Sequence, residues 1–304
     1  MDVSIIIVNY KTAQMVCNCI HSIISHTSGI SYEVIVVDNC SEDDINTIIS
    51  TEFSNEITLL PLSENIGFGR ANNKGIEIAK GRNVLFLNPD TLLINNAIKI
   101  LSDTLDSNEQ VGACGGNLYD EQMLPALSFR RLFPGIRMEL FEMTAHKLEN
   151  VIYHGNWMFN HTSDNLIVGY ITGADLMVKR KVIDFVGSFS PAFFMYNEDT
   201  DLCLRIHQHG YDVLSVPSAK IQHLEGKSTQ ESGNTYSERG LFLSEQGRHT
   251  YYIKNIPYFR RMIANGIYHC SLRILYFISL FSKKHNSQAF KYRIHAIKEL
   301  HKSS

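Results

Sequence analysis

Residues 85–93 read LFLNPDTLL, an apolar run that breaks on Asn88-Pro89-Asp90. A continuous apolar run, without alternation, marks a strand covered on both faces, as in a parallel sheet flanked by helices. Pro89 fixes its own φ and lacks a donor, so the strand stops there and Asp90 is aimed outward from the edge of the sheet. Similar runs lie upstream: VSIIIVNY from Val3, YEVIVVDN from Tyr32 and ITLLPL from Ile57. Helical patterns separate them. Thr12 stands as N-cap to a helix whose Val16, Cys19, Ile20, Ile23 and Ile24 recur at helical spacing, and a second helix opens near Gly69 and runs to about Lys80. The alternation predicts an α/β fold with a mainly parallel central sheet sandwiched by helices.

Beyond residue 110 the pattern loosens. GACGGNLYD reads as a strand and turn, residues 125–165 as an irregular, aromatic, substrate-facing region, and ITGADLMVKRKVIDFVG as a strand-helix unit. NEDTDLCLRIHQHG is a helix ended by Gly210, and YDVLSVPSAKIQHLEG a late strand ending on His223. From about 240 the chain is helical, with basic and aromatic residues and the apolar run LRILYFISLF. The 304 residues carry a net charge of -3, which gives no footing for nucleic-acid binding. Six cysteines include no C-x-x-C pair, so neither a zinc site nor a disulfide framework is expected, and a reducing cytoplasm fits. MDVSIIIVNY reads as a first core strand and not as a signal peptide.

In an open α/β sheet, ligands bind beyond the carboxyl ends of the strands. Three polar clusters fall there: Asp38-Asn39, Asn65-Ile66-Gly67 and Asn88-Pro89-Asp90. The first strand is followed by NYKTAQ, with neither a G-x-G-x-x-G nor a Walker lysine to cradle phosphate. A bound diphosphate therefore needs another counter-charge, which a divalent cation on Asp90 supplies, since hard cations prefer carboxylate and phosphate oxygens.

The ordered set VSIIIVNYK, VIVVDNCSEDD, NIGFGRANNKGI, LFLNPDT, ITGADLMVKR, FFMYNEDTDLCLR and IQHLEG resembles glycosyltransferase family 2, and within it the rhamnosyltransferase-like branch. The resemblance spans roughly residues 3–226. It implies a GT-A fold, a nucleotide-diphosphate-sugar donor and inversion at the anomeric carbon. It also implies a catalytic domain over 1–226, with a nucleotide-binding half to about residue 90 and an acceptor half from 91, followed by a helical extension over 227–304. On the donor side, Asp38 matches the aspartate that hydrogen-bonds the pyrimidine base, with Val8 and Tyr10 walling the pocket. Asn65, Gly67 and Asn72 match the segment near ribose and diphosphate, with Arg70 as a further phosphate contact. Asn88-Pro89-Asp90 occupies the place of the D-x-D metal motif; Asn88 replaces its first aspartate, leaving Asp90 as ligand for Mg²⁺ or Mn²⁺. His223 matches the histidine that completes the metal shell.

By the same resemblance Asp199 is the general base that takes the acceptor hydroxyl's proton, supported by Glu198; the acidic residues also suit the start of a helix. Arg205 either orients a carboxylate or pairs with one. Thr172, Gly173 and Asp175 fall on the acceptor side, where Asp175 either contacts an acceptor hydroxyl or caps a strand-to-helix turn. Ser188 and Ser190-Pro191 depart from the branch's G-G-F-D-E pattern, which bears on acceptor preference. Arg248, with Tyr251, Tyr252 and Lys254, either closes over the donor phosphates or belongs to a packed helix. Ile267 to Phe281 is short for spanning a bilayer, and the flanking Arg260, Arg261, Lys283, Lys284, Lys291 and Arg293 suit an interfacial helix on anionic lipid. The expected activity is transfer of rhamnose from dTDP-rhamnose to a glycan or lipid-linked glycan acceptor during surface polysaccharide assembly. UDP-hexose or UDP-N-acetylhexosamine donors, a non-catalytic nucleotide-sugar binding module and, last, a sugar nucleotidyltransferase stand as alternatives.

Overall fold

The computed structural model describes residues 1–53, 57–224, 238–280 and 287–302. Four strands and three helices build the first half: β1 (Val3–Asn9), α1 (Ala13–His26), β2 (Tyr32–Asp38), α2 (Ile45–Glu52), β3 (Ile57–Pro61), α3 (Phe68–Ile78) and β4 (Asn83–Leu87). These strands are parallel in the order β3-β2-β1-β4, with Asn9 level with Asp38 and Asp38 with Pro61, so their carboxyl ends share one edge. Along β1, Val3, Ile5 and Ile7 enter a core shared with α1 and α2, whereas Ile6 and Val8 enter the opposite core. Both faces of the strand are covered, which is why its sequence does not alternate.

The second half adds β5 (Thr91–Leu93), α4 (Ala97–Ser107), β6 (Val111–Tyr119), β7 (Phe129–Arg130), α5 (Ile136–Met143), α6 (Lys147–Ile152), β8 (Leu166–Ile167), β9 (Tyr170–Ile171), β10 (Asp175–Lys179), α7 (Arg180–Val186), α8 (Glu198–Gln208) and β11 (Asp212–His223). The sheet continues as β4-β10-β6-β11-β5, with β8 beside β11, while β7 and β9 form a separate pair. Here the sheet is mixed: β10 runs antiparallel to both neighbours and β5 antiparallel to β11, whereas β6 and β11 are parallel. Three helices close the chain: α9 (Glu238–Asn255), α10 (Tyr258–Ser279) and α11 (Ser287–Lys302). Of these, α10 packs on α5 and α9 on α8.

Several local expectations are corrected. Thr12 occupies the N-cap position of α1, but its hydroxyl donates to Asn9 Oδ1, and Asp43 Oδ2 accepts from the first-turn Ala13 N–H instead. Ile24 lies on the exposed face of α1. The region 125–165 contains the short helices α5 and α6 and a strand, so it is less irregular than its composition suggests. All six cysteines are free thiols, and Cys17, with His21, hydrogen-bonds Glu52 across α1 and α2. The expected boundary at 226/227, together with Lys283 and Lys284, lies outside the described residues.

Candidate active site

LFLNPDTLL ends in a tight turn. Asn88 O accepts from the backbone N–H and the hydroxyl of Thr91, closing a four-residue turn with Pro89 at its second position, where proline's fixed φ is favoured. The turn delivers Asp90 to the end of β11: Leu224 N–H donates to Asp90 O, and Thr91 pairs with His223. Asp90 is only 2% exposed, and its Oδ1 lies 3.3 Å from His223 Nε2, within ion-pair range but without hydrogen-bond alignment. A buried carboxylate oxygen without a hydrogen bond, facing an imidazole nitrogen, suits a divalent cation with diphosphate oxygens in its remaining positions. The residues present fit the expected Mg²⁺ or Mn²⁺.

The same turn is tied to the catalytic candidate. Asn88 N–H donates to Ala174 O, and the neighbouring Gly173 N–H donates to Asp199 Oδ2 at 2.7 Å. Two adjacent residues therefore hold both the Asn88-Pro89-Asp90 turn and Asp199. Asp199 Oδ1 accepts from the Thr200 backbone N–H at 2.6 Å and from its hydroxyl at 3.1 Å. Burial raises the Asp199 carboxyl above the usual range, and these hydrogen bonds limit the rise. Glu198 is 5% exposed, and among the described residues its Oε2 has no hydrogen-bond partner. Burial, and then the charge of Asp199, push Glu198 up to about 8. Of the two carboxyls, Glu198 is pushed further toward holding its proton, because Asp199 takes the hydrogen bonds from Gly173 and Thr200.

Asp38, half-buried at the end of β2, accepts at Oδ1 from Asn9 Nδ2 and from the Ser41 N–H. Val8 is buried and Tyr10 half-buried beyond the end of β1. Asn39, named in the strand-end cluster but given no role of its own, organises the neighbouring loop: its Nδ2 donates to Asn65 Oδ1 and its Oδ1 accepts from Ile66 N–H. Asn65 Oδ1 also accepts from Gly67 N–H. Asn72 is buried, with its Nδ2 donating to Phe68 O within α3. Thr172, half-buried, has its hydroxyl beside the carbonyls of Leu127 and Ser128.

Gly67 and Arg70, expected beside the donor, both contact the loop before α8. Gly67 has φ +88°, and a Cβ there would lie 2.3 Å from Phe194 O. Phe68 N–H donates to that same carbonyl. Arg70 donates through Nε and Nη2 to Pro191 O, and Asn73 exchanges two hydrogen bonds with the backbone of Phe189. The start of α3 thus clamps the FSPAFFMYN loop that leads into Glu198-Asp199. On its other side Gly247 of α9 lies against Tyr196 O, 2.4 Å from where a Cβ would stand. Tyr196 and Asn197 take positive φ between the two grips.

The expectation for Asp175 is corrected, and Arg248 and Arg205, whose readings were open, find their partners. Asp175 neither reaches an acceptor nor caps a helix: it is the first residue of β10, 0% exposed, and its Oδ2 accepts from Gly116 N–H. Burial raises its carboxyl to about 7. Arg248 belongs to a packed helix. It donates to Glu139 and Asn265, between the rings of Tyr252 and Tyr268, because buried Glu139 needs a counter-charge. Arg205 pairs with Asp201 and donates to the carbonyls of Val186, Gly187 and Ser188.

This architecture is the GT-A fold. A mannosyltransferase from Pyrobaculum calidifontis, solved with GDP-Man and Mn²⁺, superposes with TM-score 0.62 at 16% identity over 98% of this chain and 86% of its own. GalNAc-T7, solved with UDP, GalNAc and Mn²⁺, superposes with TM-score 0.55 at 14% identity over 84% of this chain, which spans half of that protein. Residues 4–182 match glycosyl transferase family 2, and the chain belongs to that family. Among curated relatives, the N-acetylglucosaminyl-diphospho-decaprenol L-rhamnosyltransferase of Mycobacterium tuberculosis is 29% identical over 64% of this chain and 67% of its own. The O-antigen chain rhamnosyltransferase WbaN of Salmonella anatum is 23% identical over 69% and 62%, respectively.

Proposed function

We propose that this glycosyltransferase catalyses inverting transfer of rhamnose from dTDP-rhamnose to a lipid-linked glycan acceptor in surface polysaccharide assembly, at the cytoplasmic face of the membrane. The observation that carries the mechanism is the shared anchorage of Asn88 and Asp199 on residues 173 and 174. It fixes a general base relative to the turn that presents Asp90. Asp199, with Glu198 beside it, takes the proton of the acceptor hydroxyl as that oxygen attacks the anomeric carbon opposite the leaving diphosphate. Asp38 contacts the base, and Asp90 with His223 would hold the divalent cation. When bound, that cation supplies charge stabilisation for the departing diphosphate. The rhamnosyltransferase relatives support the sugar and the lipid-linked acceptor.

Asp199→Asn tests the reading. It keeps the shape and removes the base, so turnover should fall by a factor of about 10² to 10⁴, while calorimetric affinity for dTDP-rhamnose with Mn²⁺ stays within about twofold of the parent. Near-normal turnover would overturn the mechanism, and tighter binding of a UDP-sugar would replace the donor.

A further inference from the structure

Helix α10 turns two different faces to its surroundings. Ala264, Tyr268, Ser271, Leu272 and Ser279 face the protein. Opposite them Phe259 (78% exposed), Met262, Ile263, Ile274 and Ile278 point outward, with Gly266 and Cys270 between them. Their steps of three and four residues place them in one stripe along 22 residues, about 33 Å at 1.5 Å per residue. Soluble proteins rarely leave a continuous apolar stripe of this kind uncovered. Helix α5, which packs on α10, also exposes Leu140 and Met143.

Charge decides what covers the stripe. From Gln246 to Lys298 the chain carries ten Lys and Arg and no Asp or Glu. Arg248, Lys254 and Arg293, the last expected at a lipid surface, are instead paired with buried Glu139, Asp201 and Glu245, which leaves seven others in that stretch. The whole chain has 28 Lys and Arg against 31 Asp and Glu, so the remainder holds 18 against 31 and is strongly acidic. On α10 itself Arg260 is exposed at the edge of the stripe and Arg273 within it, where its long stem lets the guanidinium reach headgroup level, and on α11 Lys291 and Lys298 are exposed. A second copy would bring two faces of the same positive sign together, which opposes association. An anionic bilayer offers both phosphate charge and apolar depth. Among the described residues no helix is long and apolar enough to cross a membrane, so α10 would lie in the interface.

We propose that the outward face of α10 is a docking surface for anionic phospholipid, seating Phe259, Ile263 and Ile274 among the acyl chains with Arg260 and Arg273 at the headgroups. The inference deepens the lipid-linked reading of the acceptor and rests on it for its purpose: docking would confine the enzyme to the surface that carries its acceptor.

The test is co-sedimentation of the full chain with vesicles of phosphatidylcholine, alone or mixed with phosphatidylglycerol, in the absence of donor and acceptor. The parent should bind the anionic vesicles and release with salt. A chain carrying Phe259→Glu, Ile263→Glu and Ile274→Glu together should lose at least about tenfold in partitioning. Phe185→Glu, on the exposed face of α7, should bind as the parent does. Circular dichroism and Tm show whether the triple variant is folded, and because the changes are on an exposed face it should be. Absence of binding by the parent, or equal binding by parent and triple variant, would overturn the proposal. So would light scattering that shows a parent dimer dissociated by the triple variant, because the face would then belong to a second copy. Failure of the transferase reading is separable: transfer to a water-soluble acceptor is measured without vesicles, and vesicle binding without substrates.

Discussion

Glu198 and Asp199 are neighbours in the chain, and two adjacent carboxyls out of water cannot both ionise cheaply. The structure separates them by donors: Asp199 receives Gly173 and Thr200, while Glu198 Oε2 receives none. That difference has a thermodynamic signature. The folded chain keeps a proton on Glu198 up to about pH 8, whereas an unfolded glutamate releases it near about 4.3. Between those values the native state binds more protons, so this contribution to stability is full below the unfolded value and is lost as pH rises toward the folded one. Glu198→Gln cannot titrate, so its Tm relative to the parent should rise steadily between about pH 5 and pH 8; a constant difference would mean that Glu198 is ionised in the fold. The sequence showed the acidic pair but not its asymmetry. That asymmetry depends on Gly173, 26 residues away, whose peptide N–H carries no side-chain signal.

At the scale of elements, α3 and the loop before α8 act as one unit. The N-x-G segment was legible as a motif, yet two of its roles were not. A glycine beside a donor crevice reads equally well as a phosphate approach or as a backbone contact, and only tertiary packing decides. Gly67→Ala would set a Cβ against Phe194 O at a left-handed φ. It should cost about 1–3 kcal/mol or more, and by displacing the loop it should lower turnover more than donor affinity; thermal unfolding and a kcat-against-KM comparison check this. Arg248 was left between two readings for a related reason. Its helix carries the basic and aromatic residues of a phosphate clamp, but buried Glu139 on α5 takes the guanidinium. Arg248→Ala leaves that carboxylate unpaired and should destabilise by about 3–5 kcal/mol, with donor KM in the folded fraction unchanged. A raised KM without loss of Tm would restore the clamp.

Across the whole molecule the parallel half of the sheet was legible in the sequence, because each strand's run is covered on both faces and its order follows the β-α rhythm. The mixed half was not. Antiparallel β10 enters between β4 and β6, and a three-residue β5 joins the far edge, where no periodicity is long enough to read. That half nonetheless decides the candidate metal site, since pairing of β5 with β11 brings His223 to Asp90 across more than a hundred residues of chain. The site is therefore a product of topology and has two separable supports. Removing Asp90 removes the hard oxygen ligand, while removing His223 leaves it in place. Asp90→Ala should weaken Mn²⁺-dependent donor binding by well over about tenfold, and His223→Ala, which keeps the hard oxygen ligand, by less. Calorimetry with dTDP-rhamnose, run with Mn²⁺ and then with a chelator, reads both. If the chelator abolishes parent binding yet Asp90→Ala responds to Mn²⁺ as the parent does, the cation sits elsewhere and the buried Asp90–His223 contact is structural.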